Sequence, residues 1–461
     1  MTDRDAVLLR AARHAQAYLA DVATRPVKAA ATGDELRRLL AGPLPEAGEE
    51  PLAVIDRLAR AGADGTTATQ NPRYFGFVVG GSLPVATAAD WLTSAWDQNA
   101  GLFVLSPVVS VIEDAVIAWI REVVGLAPGW NGGFVTGGQM ANFTGLASAR
   151  LHVLRQAGWD VEADGLFGAP RVEVFVSEEA HYSIARSLRM LGLGDAAARP
   201  VPTDDQGRMR ARELAALLAA SSGPSIVCAQ VGNVNTGAFD PLADIGDAAA
   251  ARGAWLHVDG AFGLWAALSP ERAPWLEGIA RADSIATDAH KWLNVPYDCG
   301  VALCAHPEVQ RAAMTLLAAY IEDSKVERDP HEFVPDESRR ARAVPVYAAM
   351  RSLGRDGLRA MIERGCAMAQ RMADGLRDRP GVHVLNDVVL NQVLVRFDAP
   401  DGGDGDAFTR AVIARVQADG TSWLGGTTWK GRAAMRISVS NWSTAAADAD
   451  RTVEAILRAR S

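Results

Sequence analysis

The chain has 461 residues, 49% of them hydrophobic and 22% charged, and carries a net charge of −9. That length exceeds one ordinary core and implies two or three domains of a globular protein. The acidic balance argues against a broad nucleic-acid or acidic-membrane surface, and the charged start MTDRDAVLLR and the lack of an apolar run of about eighteen residues argue against a secretory signal or a bilayer span.

Residues 1–74 read as a helical segment, because LLRAARHAQAYLADV and DELRRLLAG space their apolar residues by three and four. Neither stretch shows a partner of its own, so both are expected to pack elsewhere on the protein or across a dimer. From 75 to 340 short β-rich runs alternate with helical ones: GGFVTGG, NFTGLASARLHVLRQ, RVEVFVSEE and SIARSLRMLG, then PSIVCAQV, PLADIGDAAAARG, AWLHVDGAFG, DSIATDAH and CGVALCAH. Near-continuous apolar strands alternating with helices predict an α/β domain, a mostly parallel sheet sandwiched by helices. Segment 321–345 is charged and reads as an exposed loop leading into a long helix. Residues 341–461 form a smaller α+β domain, with strands in GVHVLN, NQVLVRF and MRISVSN and helices in DAFTRAVIARVQADG and AADADRTVEAILRAR. Cys228, Cys299, Cys304 and Cys366 lack CxxC or zinc-type spacing and read as buried, reduced thiols of a cytoplasmic protein.

Only four of the 46 basic residues are lysines: Lys28, Lys291, Lys325 and Lys430. Where charge alone is needed this chain uses arginine, so a lysine in a distinctive setting is a candidate for chemistry that a guanidinium cannot do, above all Schiff-base formation. Lys28, Lys325 and Lys430 have polar or charged neighbours, whereas Lys291 lies in the weakly charged stretch ATDAHKWLNVPYDCG. Asp259 ends an apolar strand in WLHVDGAFG, where ligands of such sheets bind. A carboxylate there could cap a helix, hold a protonated heterocycle, or bind a metal with His257 as companion. Lys291 follows 32 positions later, after what reads as one helix and one strand, which would bring both residues to one sheet edge. FVTGGQMANFTG places a glycine pair before a helix, either a simple turn or an anion site. His181 in SEEAHYSIARS is a flat side chain that could stack on a ring or serve locally.

In order, Gly-Gly-x-x-Ala-Asn, Ala-His-x-Ser, His-x-Asp-x-Ala and His-Lys-Trp resemble the group II decarboxylases that depend on pyridoxal 5′-phosphate (PLP) and have the aspartate aminotransferase fold, fold type I. The resemblance spans nearly the whole chain, from NPRYFGFVVGGSLP to the C-terminus. It implies that Lys291 carries the cofactor as a Schiff base and moves protons, that Asp259 pairs with the pyridine nitrogen, and that His181 and Ala261 cover the two ring faces. Gly138, Gln139 and His290 are expected at the phosphate, and Asn233 beside the ring hydroxyl. It further implies an amino-acid substrate, a two-fold homodimer with Phe103 reaching into the partner's pocket, and Arg436 in a position similar to a carboxylate-binding Arg, with a surface or inter-domain salt bridge as its other reading. No metal, nucleic acid or membrane is called for.

Departures qualify the carry-over. Gln139 replaces a common Ser or Thr, so phosphate contacts are expected to lean on backbone and on Thr136. Asp288 stands two residues before the His-Lys pair, where relatives commonly carry Asn, and an acid beside a phosphate is unfavourable. Val79 and Gly80 weaken a catechol substrate, while Phe77 and its aromatic neighbours lean toward an apolar or aromatic one. The loop 321–338, expected to be a mobile lid, contains no Tyr; His331 and Phe333 are its aromatic choices. The leading expectation is decarboxylation of an L-amino acid to the amine with His331 as a candidate proton donor, against transamination or an oxidative route to an aldehyde.

Overall fold

In the computed structural model, which describes residues 3–316, 327–400 and 402–461, the alternating runs fold into a seven-stranded sheet. Its strands are β1 (Asn131–Val135), β2 (Glu173–Ser177), β3 (Ala198–Val201), β4 (Ser225–Gln230), β5 (Trp255–Asp259), β6 (Ser284–Asp288) and β7 (Gly300–Cys304), in the spatial order β1-β7-β6-β5-β4-β2-β3. β2 through β6 pair in parallel, and β7 runs antiparallel between β6 and β1. Every residue of β4, β5, β6 and β7 is buried, as expected of strands covered on both faces. The helix Gly138–Gln156 lies on this sheet, and its Leu146, Leu151 and Leu154 join Val174, Ile226, Leu188 and Trp255 in one core cluster. Full burial of each such side chain contributes about 1.5–3 kcal/mol.

The crossover between β5 and β6 departs from the helix expected there. It is three short 3₁₀ turns, Gly263–Leu268, Ala273–Leu276 and Ile279–Arg281. Pro270 and Pro274 interrupt a continuous helix, and Gly278 takes a left-handed φ of 92°. The consequence for the sheet is the same: β5 and β6 lie side by side and parallel.

The chain divides into two compact units. The first is Ser82–Ala367 with Asn386–Gln392, and the second is Met1–Gly81, Met368–Leu385 and Val393–Ser461. The helix Ala343–Leu376, broken at Gly354, carries the chain from one to the other. In the second unit five strands run in the order Tyr74–Phe75, Trp423–Trp429, Arg432–Ser438, Gln392–Phe397 and Val382–Val384. The N-terminal helices Asp3–Asp21, Gly33–Leu40 and Pro51–Gly65 belong here and partner one another. Asp56 takes hydrogen bonds from Arg10 and His14, both at 2.7 Å. The segment after them is tied to the C-terminal strands: the Val27 N–H donates to Gly420, Tyr74 pairs with Trp423, and Arg73 reaches Asp448 at 3.2 Å.

Candidate active site

Parallel strands end on one edge of the sheet, so β1, β2, β4, β5 and β6 deliver their following loops together. Asp259 closes β5 and is buried. Its Oδ1 accepts the Ala261 N–H at 3.1 Å, and its Oδ2 accepts the Asn142 amide at 3.0 Å. The same Asn142 Nδ2 donates to Ser183 Oγ at 3.1 Å, and Asn142 Oδ1 faces His257 Nε2 at 2.9 Å. His257 Nδ1 lies 2.8 Å from Ser284 Oγ, which receives the indole N–H of Trp255 at 2.9 Å. Ser183 Oγ in turn lies 2.8 Å from His181 Nδ1.

The hydrogen positions in this network follow from its two fixed ends. A carboxylate only accepts, so Asn142 turns its NH₂ toward Asp259 and presents Oδ1 to His257. His257 therefore carries its proton on Nε2 and accepts from Ser284 at Nδ1. Burial pushes the His257 pKa down to about 4, so the imidazole is neutral with a single N–H at pH 7. Ser183 receives from Asn142 and gives its own proton to His181 Nδ1, which also accepts the Ser183 N–H at 3.3 Å. His181 thus carries its hydrogen on Nε2. Both His257 nitrogens are engaged, so it does not form a metal pair with Asp259.

Lys291 follows β6 on the strand next to Asp259. Its Nζ is 2.7 Å from Asp288 Oδ2, and the side chain is 22% exposed while that of Asp288 is 1% exposed. Asp288 Oδ1 accepts the Gly138 N–H at 2.5 Å and lies 3.4 Å from His290 Nε2. His290 Nδ1 accepts the Cys299 N–H at 3.0 Å, and burial pushes its pKa below the usual histidine value. The neutral ring therefore turns its Nε2–H toward Asp288, and Tyr297 stacks on it with ring centroids 4.3 Å apart. The glycine pair is required by space: a Cβ on Gly137 would stand 3.0 Å from His290 Cε1, and one on Gly138 would stand 2.6 Å from Asp288 Oδ2.

The other expected residues are placed as follows. Gln139 sends its amide to Ser187 Oγ at 2.9 Å, so that donor is engaged within the protein. Asn233, fully buried after β4, accepts from the Asn235 and Thr236 N–H groups at 2.9 and 3.2 Å and donates one amide hydrogen to Glu179 O at 3.3 Å. His331 sits in a buried 3₁₀ turn, Pro330–Phe333, and its N–H donates to Gly101 O at 3.0 Å. The Phe103 N–H donates to Asp329 at 2.6 Å, so Phe103 and His331 share one patch against the edge strand β1. This corrects the expectation of an exposed loop for 329–334, which are buried. Residues 317–326 lie outside the described residues, and 327–338 is fastened down: Arg328 holds Asp114 at 3.0 Å, Gln310 donates to Phe333 O at 2.8 Å, and buried Arg339 meets buried Glu113 at 3.0 Å.

Two expected residues lie in the second unit. Phe77 is 65% exposed and stacks on Trp423 at 5.4 Å. It and Val78 have φ of 59° and 82°, a strained turn for non-glycine residues. Arg436 lies on strand Arg432–Ser438; burial lowers its pKa, and its Nε is buried without a hydrogen-bond partner among the described residues. Sequence reasoning gave Asn142, Ser183 and Ser284 no individual role. The Gly-Gly-x-x-Ala-Asn and Ala-His-x-Ser motifs contain the first two, whereas nothing local marks Ser284.

A lysine amine, a buried carboxylate oriented by an amide, a flat imidazole and a glycine-started helix converge on one sheet edge. This donor set fits a phosphorylated pyridine aldehyde, with Lys291 for the aldehyde, Asp259 for the ring nitrogen and the helix start for the phosphate. Residues 34–398 match the family model for the pyridoxal-dependent decarboxylase conserved domain. The chain belongs to this family. It is a PLP-dependent carboxy-lyase, and its substrate is an amino acid. It is 28% identical to the aromatic-L-amino-acid decarboxylase of Bacillus atrophaeus over 91% of this chain and 87% of that one. It is 30% identical to the L-2,4-diaminobutyrate decarboxylase of Rhizobium meliloti over 87% of this chain and 80% of that one. The crystal structure of mouse CSAD superposes with a TM-score of 0.91 at 26% identity, covering 99% of this decarboxylase and 98% of the mouse chain. Fold type I is thereby established for it.

Proposed function

We propose that this decarboxylase converts an L-amino acid with an aromatic or apolar side chain to the amine and CO₂. The observation that carries the reading is the pair Asp259 and Lys291 at the ends of adjacent parallel strands, with Asp259 held by Asn142 at 3.0 Å. Bound PLP supplies an electron sink conjugated to the substrate α-carbon. Lys291 attaches the cofactor through its amine and takes and returns protons at Nζ. Asp259 would keep a proton on the ring nitrogen, and His181, with its hydrogen on Nε2, would supply a flat face for the ring. Ala261 would cover the other face, and the remaining Asn233 amide hydrogen would be available to the ring hydroxyl. The Arg436 guanidinium, whose buried Nε has no hydrogen-bond partner among the described residues, suits a substrate carboxylate. The lean toward an apolar side chain in the substrate rests on the aromatic character of Phe77 and its sequence neighbours. The relatives' names span aromatic and diamino acids, so they do not choose the substrate.

The protein is further proposed to be a homodimer, with Phe103 contributing across the interface. Trp91, Leu92, Val104 and Val111 are each exposed, and association would cover apolar side chains of this kind.

A second reading rests on the segment 321–338. It holds no Tyr, and its His331 is buried with its backbone fastened to Gly101. Slow protonation of the substrate carbon would let oxygen compete. Amino acid, O₂ and water would then give aldehyde, CO₂, ammonia and hydrogen peroxide. The test is a panel of L-amino acids incubated with wild type and His331→Ala, with CO₂, amine, aldehyde, keto acid and oxygen uptake measured together. Amine equal to CO₂ with no oxygen uptake is the expected result. Peroxide and aldehyde in the wild type would replace it with the oxidative reading, and keto acid without CO₂ would overturn both.

A further inference from the structure

Asp288 is the one residue of the Lys291 neighbourhood whose chemistry runs against the cofactor. The first N–H groups of the helix Gly138–Gln156 have no carbonyl one turn earlier, and the helix dipole is positive there, so this end attracts an anion. The chain already supplies one. Asp288, 1% exposed at its side chain, takes the Gly138 N–H at 2.5 Å and the Lys291 ammonium at 2.7 Å, with the His290 Nε2–H directed at it from 3.4 Å. Three donors, one from the helix start and two from the neighbouring residues Lys291 and His290 just beyond the strand, converge on one carboxylate. A phosphate ester with an aldehyde needs the first of these donors for its phosphate and the second for its aldehyde.

We propose that Asp288 competes with the cofactor's phosphate for this anion-binding corner, so that the chain holds PLP less tightly than the same site would with an asparagine. The inference rests on PLP being the cofactor. An amide at position 288 would keep the shape of the side chain, remove the like charge and offer a donor. The carboxylate is fixed in place: a Cβ on Gly138 would already stand 2.6 Å from its Oδ2, and β6 and the glycine pair enclose it. It therefore has little room to turn away from an incoming dianion. The consequence is a decarboxylase whose loading depends on the free cofactor concentration and which sheds PLP on dilution.

Asp288 also pairs with Lys291, so replacing it alters the amine as well as the phosphate corner. Two ligands separate these effects. PLP and pyridoxal share the aldehyde and ring, and only PLP has the phosphate. Equilibrium dialysis of full-length wild type and Asp288→Asn against each compound gives four dissociation constants. The expected result is that the substitution tightens PLP by roughly tenfold or more beyond any change for pyridoxal, the scale on which a like charge within a few ångströms acts. Equal changes for both ligands would assign Asp288 to Lys291 alone and overturn the proposal, as would weaker PLP binding in the variant. A wild type that binds neither compound would overturn the cofactor reading with it. Circular dichroism checks that the variant folds; if the amide does not, Asp288→Ser carries the same comparison with the same two outcomes.

Discussion

At the level of single residues, the side chain that organises the ring end of the site is Asn142, which never needs to touch substrate. Its amide donates to Asp259 and to Ser183, and its carbonyl accepts from His257, so one planar group fixes the carboxylate and the His181 tautomer together. The arrangement works only while His257 is neutral with its proton on Nε2. Its pKa of about 4, set by burial, lies below the ordinary value of 6.5. The unfolded chain therefore binds a proton in the window between these values that the folded chain does not. The contribution is complete above about pH 6.5 and is lost as pH falls toward 4, a span of about 3 kcal/mol. Denaturant unfolding of wild type and His257→Asn at several pH values should show the gap between them shrinking by about that amount across the window. A gap independent of pH would mean that His257 titrates alike in both states. The four cysteines are buried and unpaired, and burial raises the pKa of each thiol, to about 12 for Cys304 and Cys366, so they lie outside this chemistry.

At the level of elements, the helix Gly138–Gln156 approaches the sheet only because of its glycines. A Cβ on Gly145 would stand 2.8 Å from both Cε1 and Nδ1 of His257 and 3.1 Å from Ser284 Oγ. Gly145→Ala should therefore push His257 from Asn142, costing about 1–3 kcal/mol of stability and reducing turnover with little change in the Michaelis constant. Stability and turnover equal to wild type would show that the helix yields without disturbing the network. Much of this arrangement is legible in the sequence, because Asp259, Lys291 and His181 sit at strand ends or a helix start within local motifs. The network that orients Asp259 is not, since Asn142, which holds it, and His257 and Ser284, which continue the chain of bonds, come from three elements and only tertiary packing aligns them. Trp423–Trp429 is hard to read as a strand because Gly425 and Gly426 dilute its β-branched and aromatic pattern. The buried turn Pro330–Phe333 hides in a charged segment because its charges are paired: Glu332 meets Arg311, and Arg328 lies over Phe333 at 4.5 Å.

For the whole molecule, the sequence division at 74 and 340 treats the chain as consecutive pieces, whereas the second unit gathers its residues from both ends of the chain. Nothing local in 1–74 marks this, because the joining contacts, such as Val27 with Gly420, are backbone pairings across some four hundred positions. Association is the other property of this scale. Light scattering at assay concentration should give twice the 48.9 kDa of the chain, and an active monomer would refute the proposed dimer. The central claim is more direct, and four lysines make it easy to test. Borohydride reduction of the holoenzyme should fix the cofactor to the protein, and peptide mapping should find the pyridoxyl group on Lys291, with the visible absorbance absent from Lys291→Ala. A label on Lys28, Lys325 or Lys430 would contradict the account.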